Sequence, residues 1–155
     1  PVNLVVHSDT GTFAPSSGAP AFPIARRLSN NAHCADGSQV SLQALQQRGE
    51  PLLALAGIAR PEVFFAMLRA QGLDLEGSLA LPDHFDFDSW QRPADMPYRL
   101  ICTEKDAFKL WHRHPDALAV PLCTNLPPGF FAALDICLQQ ARARQAARAY
   151  HPPPE

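Results

Sequence analysis

Residues 50 to 150 predict a small three-layer α/β domain with a mostly parallel sheet. Leu52-Leu53-Ala54-Leu55-Ala56 is an unbroken apolar run of strand length, the pattern of a strand buried on both faces. Strand-like runs then alternate with helix-like ones to the end of the region. Polar clusters fall directly after those strands, at Pro82-Asp83-His84 and at Thr103-Glu104-Lys105-Asp106, where open α/β sheets hold ligands.

Each element follows from its residues. Val2-Asn3-Leu4-Val5-Val6-His7 is a β-branched run broken by Ser8-Asp9-Thr10-Gly11. Too little follows to bury its faces locally, so its partners are expected upstream; with Pro1 in place of an initiator methionine, the chain reads as a piece of something longer. Thr12 to Pro20 is a Gly/Ser/Pro loop. Ala21 to Leu28 reads as a strand with Phe22, Ile24 and Leu28 at even spacing, and Pro23, which cannot donate to a ladder, argues for an edge. Gln39-Val40-Ser41-Leu42 follows the turn signal Asp36-Gly37, so residues 21 to 49 are expected to form a two-stranded β-hairpin linker. Arg26 and Arg27 read as solvated edge charges, the alternative being a contact with phosphate or an anionic lipid surface. Leu42 to Gln47 suits a short helix.

After the run at 52–56, Gly57-Ile58-Ala59-Arg60 turns, and Pro61 and Glu62 suit a helix start. Val63, Phe64, Met67 and Leu68 share one face, and Gly72 stops the helix. Leu75 to Leu81 is the next strand, making a β-α-β unit with parallel strands. Tyr98 to Cys102 is a third strand, leading into a helix that Thr103 caps and that carries Phe108, Leu110 and Trp111. Ala117 to Leu122 is a fourth. A last helix starts near Pro128, carries Phe130, Phe131, Leu134 and Leu138 on one face, and ends with Arg142, Arg144 and Arg148.

The composition is that of an ordinary globular chain: 155 residues, 46% hydrophobic, 18% charged and a net charge of -2, with no electrostatic case for nucleic acid. Cys34, Cys102, Cys123 and Cys137 show no metal or redox spacing, and Cys102 and Cys137, in apolar patterns, read as reduced core residues of a cytosolic protein. No signal peptide is apparent, and no apolar run reaches the roughly 20 residues that span a bilayer.

Chemistry has few places to be. If the strands are parallel neighbours, the segments 57–60, 82–84 and 103–106 share one sheet edge, with helix N–H groups after Gly57 facing an anion. Asp83 beside His84 is an acid/base pair in type, although Asp83 also suits a cap. Glu104 and Asp106 suit a first helical turn regardless of function, and Lys105 is either solvated or a phosphate contact. His112 and His114 read as surface residues, His7 is given no role, and no metal site is expected. The chain has no G-x-x-x-x-G-K-[ST] loop, no G-x-S-x-G elbow and no dinucleotide fingerprint.

Three segments carry a resemblance. Leu55-Ala56-Gly57-Ile58-Ala59-Arg60-Pro61-Glu62-Val63-Phe64-Phe65 resembles the "AGIGNPxxFF" segment of the tetraacyldisaccharide 4'-kinases, the lipid A 4'-kinases of Gram-negative bacteria. Leu81-Pro82-Asp83-His84-Phe85-Asp86-Phe87 is similar to that family's "FPDHHxF", and Cys102 to Lys109 to its "MTEKDAVK". Ala59-Arg60 replaces the usual Gly-Asn, and Phe85 stands where many relatives carry a second histidine.

The resemblance implies an ATP- and Mg²⁺-dependent kinase acting on the 4'-hydroxyl of a tetraacyldisaccharide 1-phosphate in lipopolysaccharide synthesis. Its place is cytoplasmic, peripheral to or anchored in the inner membrane. Its partners are the lipid A disaccharide precursor and an N-terminal P-loop half, which binds ATP and Mg²⁺. Residues 1–20 are then the end of that half with its leftover strand, 21–49 a linker, 50–150 the C-terminal domain and 151–155 a disordered tail. His84, with Asp83, takes the expected catalytic place by pairing with an aspartate of the N-terminal half, and Thr103, Glu104, Lys105 and Asp106 are substrate or cleft candidates. The fragment alone is expected to be inactive. The alternative is a stand-alone α/β binding or regulatory module.

Overall fold

In the computed structural model, residues 2–8, 14–92 and 97–149 are described. The strands are β1 (Val5–Ser8), β2 (Ala21–Leu28), β3 (Asn31–His33), β4 (Gln39–Ser41), β5 (Leu52–Ala56), β6 (Leu75–Ala80), β7 (Arg99–Thr103), β8 (Leu118–Val120) and β9 (Leu122–Asn125). The α-helices are α1 (Leu42–Arg48), α2 (Pro61–Ala70), α3 (Glu104–Leu110) and α4 (Pro128–Ala149), and a 3₁₀ turn spans Phe87–Ser89. The chain divides into two compact units, residues 27–123 and residues 1–26 with 124–155, so the division falls inside β2 and inside β9.

The unit of residues 27–123 holds a six-stranded sheet of order β4-β3-β8-β7-β5-β6. The pairs β5–β6, β5–β7 and β7–β8 are parallel, whereas β3 pairs antiparallel with both β4 and β8. Strand alternation splits the core into two layers. Leu52, Ala54 and Ala56 of β5 face one side with Ile101, Leu118 and Val120, and there they meet Leu42 and Leu45 of α1 and Phe64, Phe65 and Leu68 of α2. Leu53 and Leu55 face the other side with Leu100, Cys102 and Ala119, against Ala107 and Leu110 of α3 and Phe87 of the 3₁₀ turn. Helices thus cover both faces, which is the three-layer α/β arrangement expected. The buried face of α2 is Phe64, Phe65 and Leu68, while Val63 is 40% exposed.

The expected pairing of residues 21–28 with 39–42 is corrected. The hairpin is β3–β4, in register Asn31 with Ser41 and His33 with Gln39. Its turn is the expected one: Gly37 sits at φ +83°, and Asp36 accepts hydrogen bonds from the Ser38 amide and hydroxyl. β2 belongs instead to a three-stranded sheet of order β1-β2-β9, so it is the middle strand and not an edge. Its parallel partner β1 pairs Val5 with Ala21 and His7 with Pro23, so the first strand finds its neighbour downstream. Pro23 removes one ladder donor, and an internal strand shares its remaining donors between two neighbours. Arg26 and Arg27 are exposed, as expected.

In the unit that contains α4, Phe130 packs edge-on against Phe22 with ring centroids 5.6 Å apart. The half-buried face of α4 is Phe130, Ala133, Leu134 and Cys137; Phe131 and Leu138 stand off it, 52% and 48% exposed. The tail at 151–155 lies outside the described residues.

Candidate functional site

Because β7, β5 and β6 are parallel neighbours, their C-terminal ends share one edge, and the three singled-out segments meet there. β5 ends at Gly57, whose N–H donates to Asp106 Oδ2 at 3.0 Å. Asp106 is the one buried charged residue among the described residues. Its Oδ2 also accepts from the Thr103 hydroxyl at 2.6 Å, and Thr103 caps α3 by accepting from the Asp106 amide at 3.2 Å. The segment 103–106 therefore grips the end of β5. Gly57 has no room for more: a Cβ there would stand 3.3 Å from both Asp106 Oδ1 and Pro82 O. Its N–H is committed to Asp106, so it is not a free donor to an anion.

The β6 end turns sharply. Phe85 N donates to Pro82 O at 3.1 Å, closing a four-residue turn with Asp83 and His84 at its centre. His84 has φ +61°, the third-residue geometry of a type II turn, and it is the one non-glycine with positive φ among the described residues. Its N–H lies 3.3 Å from Gly57 O and 3.1 Å from Asp83 Oδ1. Phe85 anchors the turn edge-on to the buried Phe87, centroids 5.4 Å apart, so this position has an apolar role.

Above this frame the polar side chains are open to solvent. Lys105 Nζ lies 3.1 Å from Asp83 Oδ1, and the His84 ring, 74% exposed, has Nε2 3.9 Å from Asp83 Oδ2. The Lys105 hydrogen bond holds the Asp83 carboxyl below its ordinary range despite some desolvation, with the positive charges of Lys105 and His84 and the His84 amide adding to it. Asp83 is thus an ionised neighbour for the imidazole. Glu104 is exposed in the same first turn of α3. A groove of about 320 Å³ adjoins, lined by His84, Asp86, Asp88, Phe108, Lys109 and His112.

The strand ends and their polar residues were legible in the sequence; the clamp was not. Asp106 looked like a helix-start acid, and the overlooked signal was its place three residues after a capping Thr103, beside a glycine-ended strand. His114 also differs from the surface reading. Its Nε2 is buried beside Trp90, ring centroids 5.2 Å apart, and burial lowers its pKa, reinforced by Arg92. Cys102 is fully buried, which pushes its thiol far up, with Asp106 adding to the shift, so it is unreactive. Cys137 is half-buried, not core.

Comparisons with known proteins identify the family. The sequence model of the family described as Tetraacyldisaccharide-1-P 4'-kinase matches residues 2–139. The tetraacyldisaccharide 4'-kinase of Acidovorax ebreus (strain TPSY) is 57% identical over 134 residues, 86% of this chain and 38% of that protein. That of Delftia acidovorans is 46% identical over 147 residues, covering 94% and 42%. The fold matches a crystal structure described as the "apo" form of LpxK from Aquifex aeolicus in complex with ATP, with a TM-score of 0.63 at 19% identity, over 86% of this chain and 41% of that one. The chain thus spans about two fifths of the length of the relatives it matches. On the match across residues 2–139 and these identities, the chain belongs to the tetraacyldisaccharide-1-P 4'-kinase family.

Proposed function

We propose that this chain serves as the C-terminal portion of an ATP-dependent lipid kinase, which phosphorylates the 4'-hydroxyl of a tetraacyldisaccharide 1-phosphate in lipid A biosynthesis, and that alone it transfers no phosphate. The observation that carries this reading is the assembly of three family segments on adjacent parallel strand ends, with the His84 ring exposed beside an ionised Asp83. Phosphoryl transfer asks a protein mainly for positioning and charge stabilisation. His84 supplies the positioning here: its imidazole orients a carboxylate base of the N-terminal half as that base takes the hydroxyl proton. Asp83, with Oδ2 3.9 Å from the ring Nε2, orients the imidazole from its own side.

Mg²⁺, when bound, neutralises charge developing on the phosphates. The described acids of this sheet edge do not fit it. Asp83 is engaged by Lys105, Asp86 caps the 3₁₀ turn, and among the described residues no group of three or more His, Cys, Asp or Glu converges to hold a metal ion. We therefore assign Mg²⁺ and the ATP phosphates to residues outside this chain, and no step here passes through the metal. We take the reaction to run at the cytoplasmic face of the inner membrane, as the family resemblance implies for a lipid acceptor. Among the described residues, no helix is long and apolar enough to cross a membrane.

The test is kinase assay of this chain alone, of the complete enzyme and of its His84→Ala variant. The chain alone is expected to transfer no phosphate and to bind ATP far more weakly than the complete enzyme. His84→Ala is expected to lower turnover by about 10²-fold with unchanged folding. Full turnover in that variant removes His84 from the mechanism. An ATP affinity of the chain alone equal to that of the complete enzyme favours the stand-alone binding module.

A further inference from the structure

A buried carboxylate is costly unless its oxygens are hydrogen-bonded, and even then an apolar residue of similar volume often stabilises a fold as well. Asp106, 4% exposed, therefore calls for a reason beyond stability. Its bonds run towards His84. Asp106 Oδ2 holds the Gly57 N–H at 3.0 Å, and the Gly57 carbonyl accepts from the His84 N–H at 3.3 Å. The neighbouring Lys105 holds Asp83 Oδ1 at 3.1 Å, and the same oxygen accepts from the same His84 N–H at 3.1 Å. Two successive residues of α3 thus reach one amide by two routes. That amide belongs to a residue at φ +61°, which an L-amino acid keeps only where its surroundings impose it. The ring is 74% exposed, so its direction is set by its backbone more than by contacts around it.

We propose that the first turn of α3 is a positioning device for His84, with Asp106 acting through Gly57 and Lys105 through Asp83 to hold residue 84 in the left-handed conformation that projects its imidazole from the sheet edge. Neither residue touches the reacting atoms in this scheme; both are positioning residues. The inference rests on the role proposed above for His84.

The experiment compares Asp106→Ala, Asp106→Asn, Lys105→Met and His84→Ala in the complete kinase. It measures kcat and KM separately, together with hydrogen exchange of peptides covering residues 54–58, 82–86 and 99–103. Asp106→Ala is expected to lower kcat about tenfold or more, with KM for both substrates within about twofold. Exchange should rise around residues 57 and 84 and stay unchanged in β7. Asp106→Asn keeps an acceptor oxygen and should recover most of the turnover. Lys105→Met changes a half-exposed residue and should lower kcat about threefold at constant thermal stability. An Asp106→Ala enzyme with kcat within twofold of the parent, alongside an impaired His84→Ala, overturns the positioning role and leaves the kinase reading of His84 intact. Exchange that rises evenly across the sheet, without rescue by Asn, also overturns it, because that pattern marks a merely structural residue. Full turnover in His84→Ala removes both. Should Asp106→Ala fail to fold, Lys105→Met decides: unchanged kcat and unchanged exchange at residue 84 overturn the proposal.

Discussion

Gly57 shows how tightly single residues are constrained at this edge. Its N–H and carbonyl are both engaged, and the space where a side chain would begin is bounded by Asp106 Oδ1, by Pro82 O and by Phe85 Cβ at 3.4 Å. Two of these neighbours are fixed by the buried clamp and by backbone, so neither yields cheaply. Gly57→Ala is expected to cost about 1–3 kcal/mol by overpacking. Urea unfolding measures that cost, and a variant as stable as the parent shows that the turn can shift. His114 is a residue of another kind. Burial lowers its pKa, so the folded state binds its proton less readily than the unfolded chain does. The stability tied to its neutral form is present above the unfolded value, about 6.5, and is lost as pH falls towards the lower folded value. Denaturation midpoints should therefore fall from about pH 6.5 downwards, before most carboxylates titrate. In His114→Phe, which keeps an aromatic ring beside Trp90, that part of the fall should disappear. An unchanged profile in the variant assigns the sensitivity elsewhere.

At the scale of elements, burial decides what a substitution costs. Leu68 of α2 is fully buried, whereas Val63, on the same helix, is 40% exposed. Leu68→Ala is expected to cost about 2–5 kcal/mol through lost transfer energy and a cavity. Val63→Ala should stay within about 0.5 kcal/mol. Equal costs would mean that α2 sits rotated from the position described. The same scale explains why α3 matters more than its length suggests. It is only seven residues long, yet its first turn ties β7 to the ends of β5 and β6, while Ala107 and Leu110 seal one core layer. By contrast, β6 is an edge strand with most of its residues exposed, so its main contribution is the turn that follows it.

For the whole molecule, two kinds of sheet divide the labour. The six-stranded sheet of residues 27–123 has helices on both faces and carries every candidate site residue on one edge. The three-stranded sheet β1-β2-β9 belongs chiefly to the other unit, which α4 accompanies. The relatives are more than twice as long as the stretch matched here. Under the proposed function, catalysis by the whole enzyme is shared between these residues and the N-terminal half.

By itself the sequence determined the elements that announce themselves through local pattern. The run 52–56, the helix start at Pro61, the capping Thr103 and the strands near 75, 99 and 118 are set by periodicity, by proline and glycine geometry and by capping chemistry, all of which act within a few residues. The placement of Asp83, His84, Thr103, Glu104, Lys105 and Asp106 at one edge followed once the strands were taken as parallel. Only the tertiary structure decided which strands are partners. β3 is three residues long with Ala32 as its one buried member, too short to show a period, so the longer β2 drew the hairpin assignment. Pro23 suggested an edge because local rules know what a residue lacks and not how many neighbours surround it. The burial of Asp106 was equally out of local reach: its partner Gly57 lies 49 residues away, and a hydrogen bond across that separation exists only after the sheet has brought the two strand ends together.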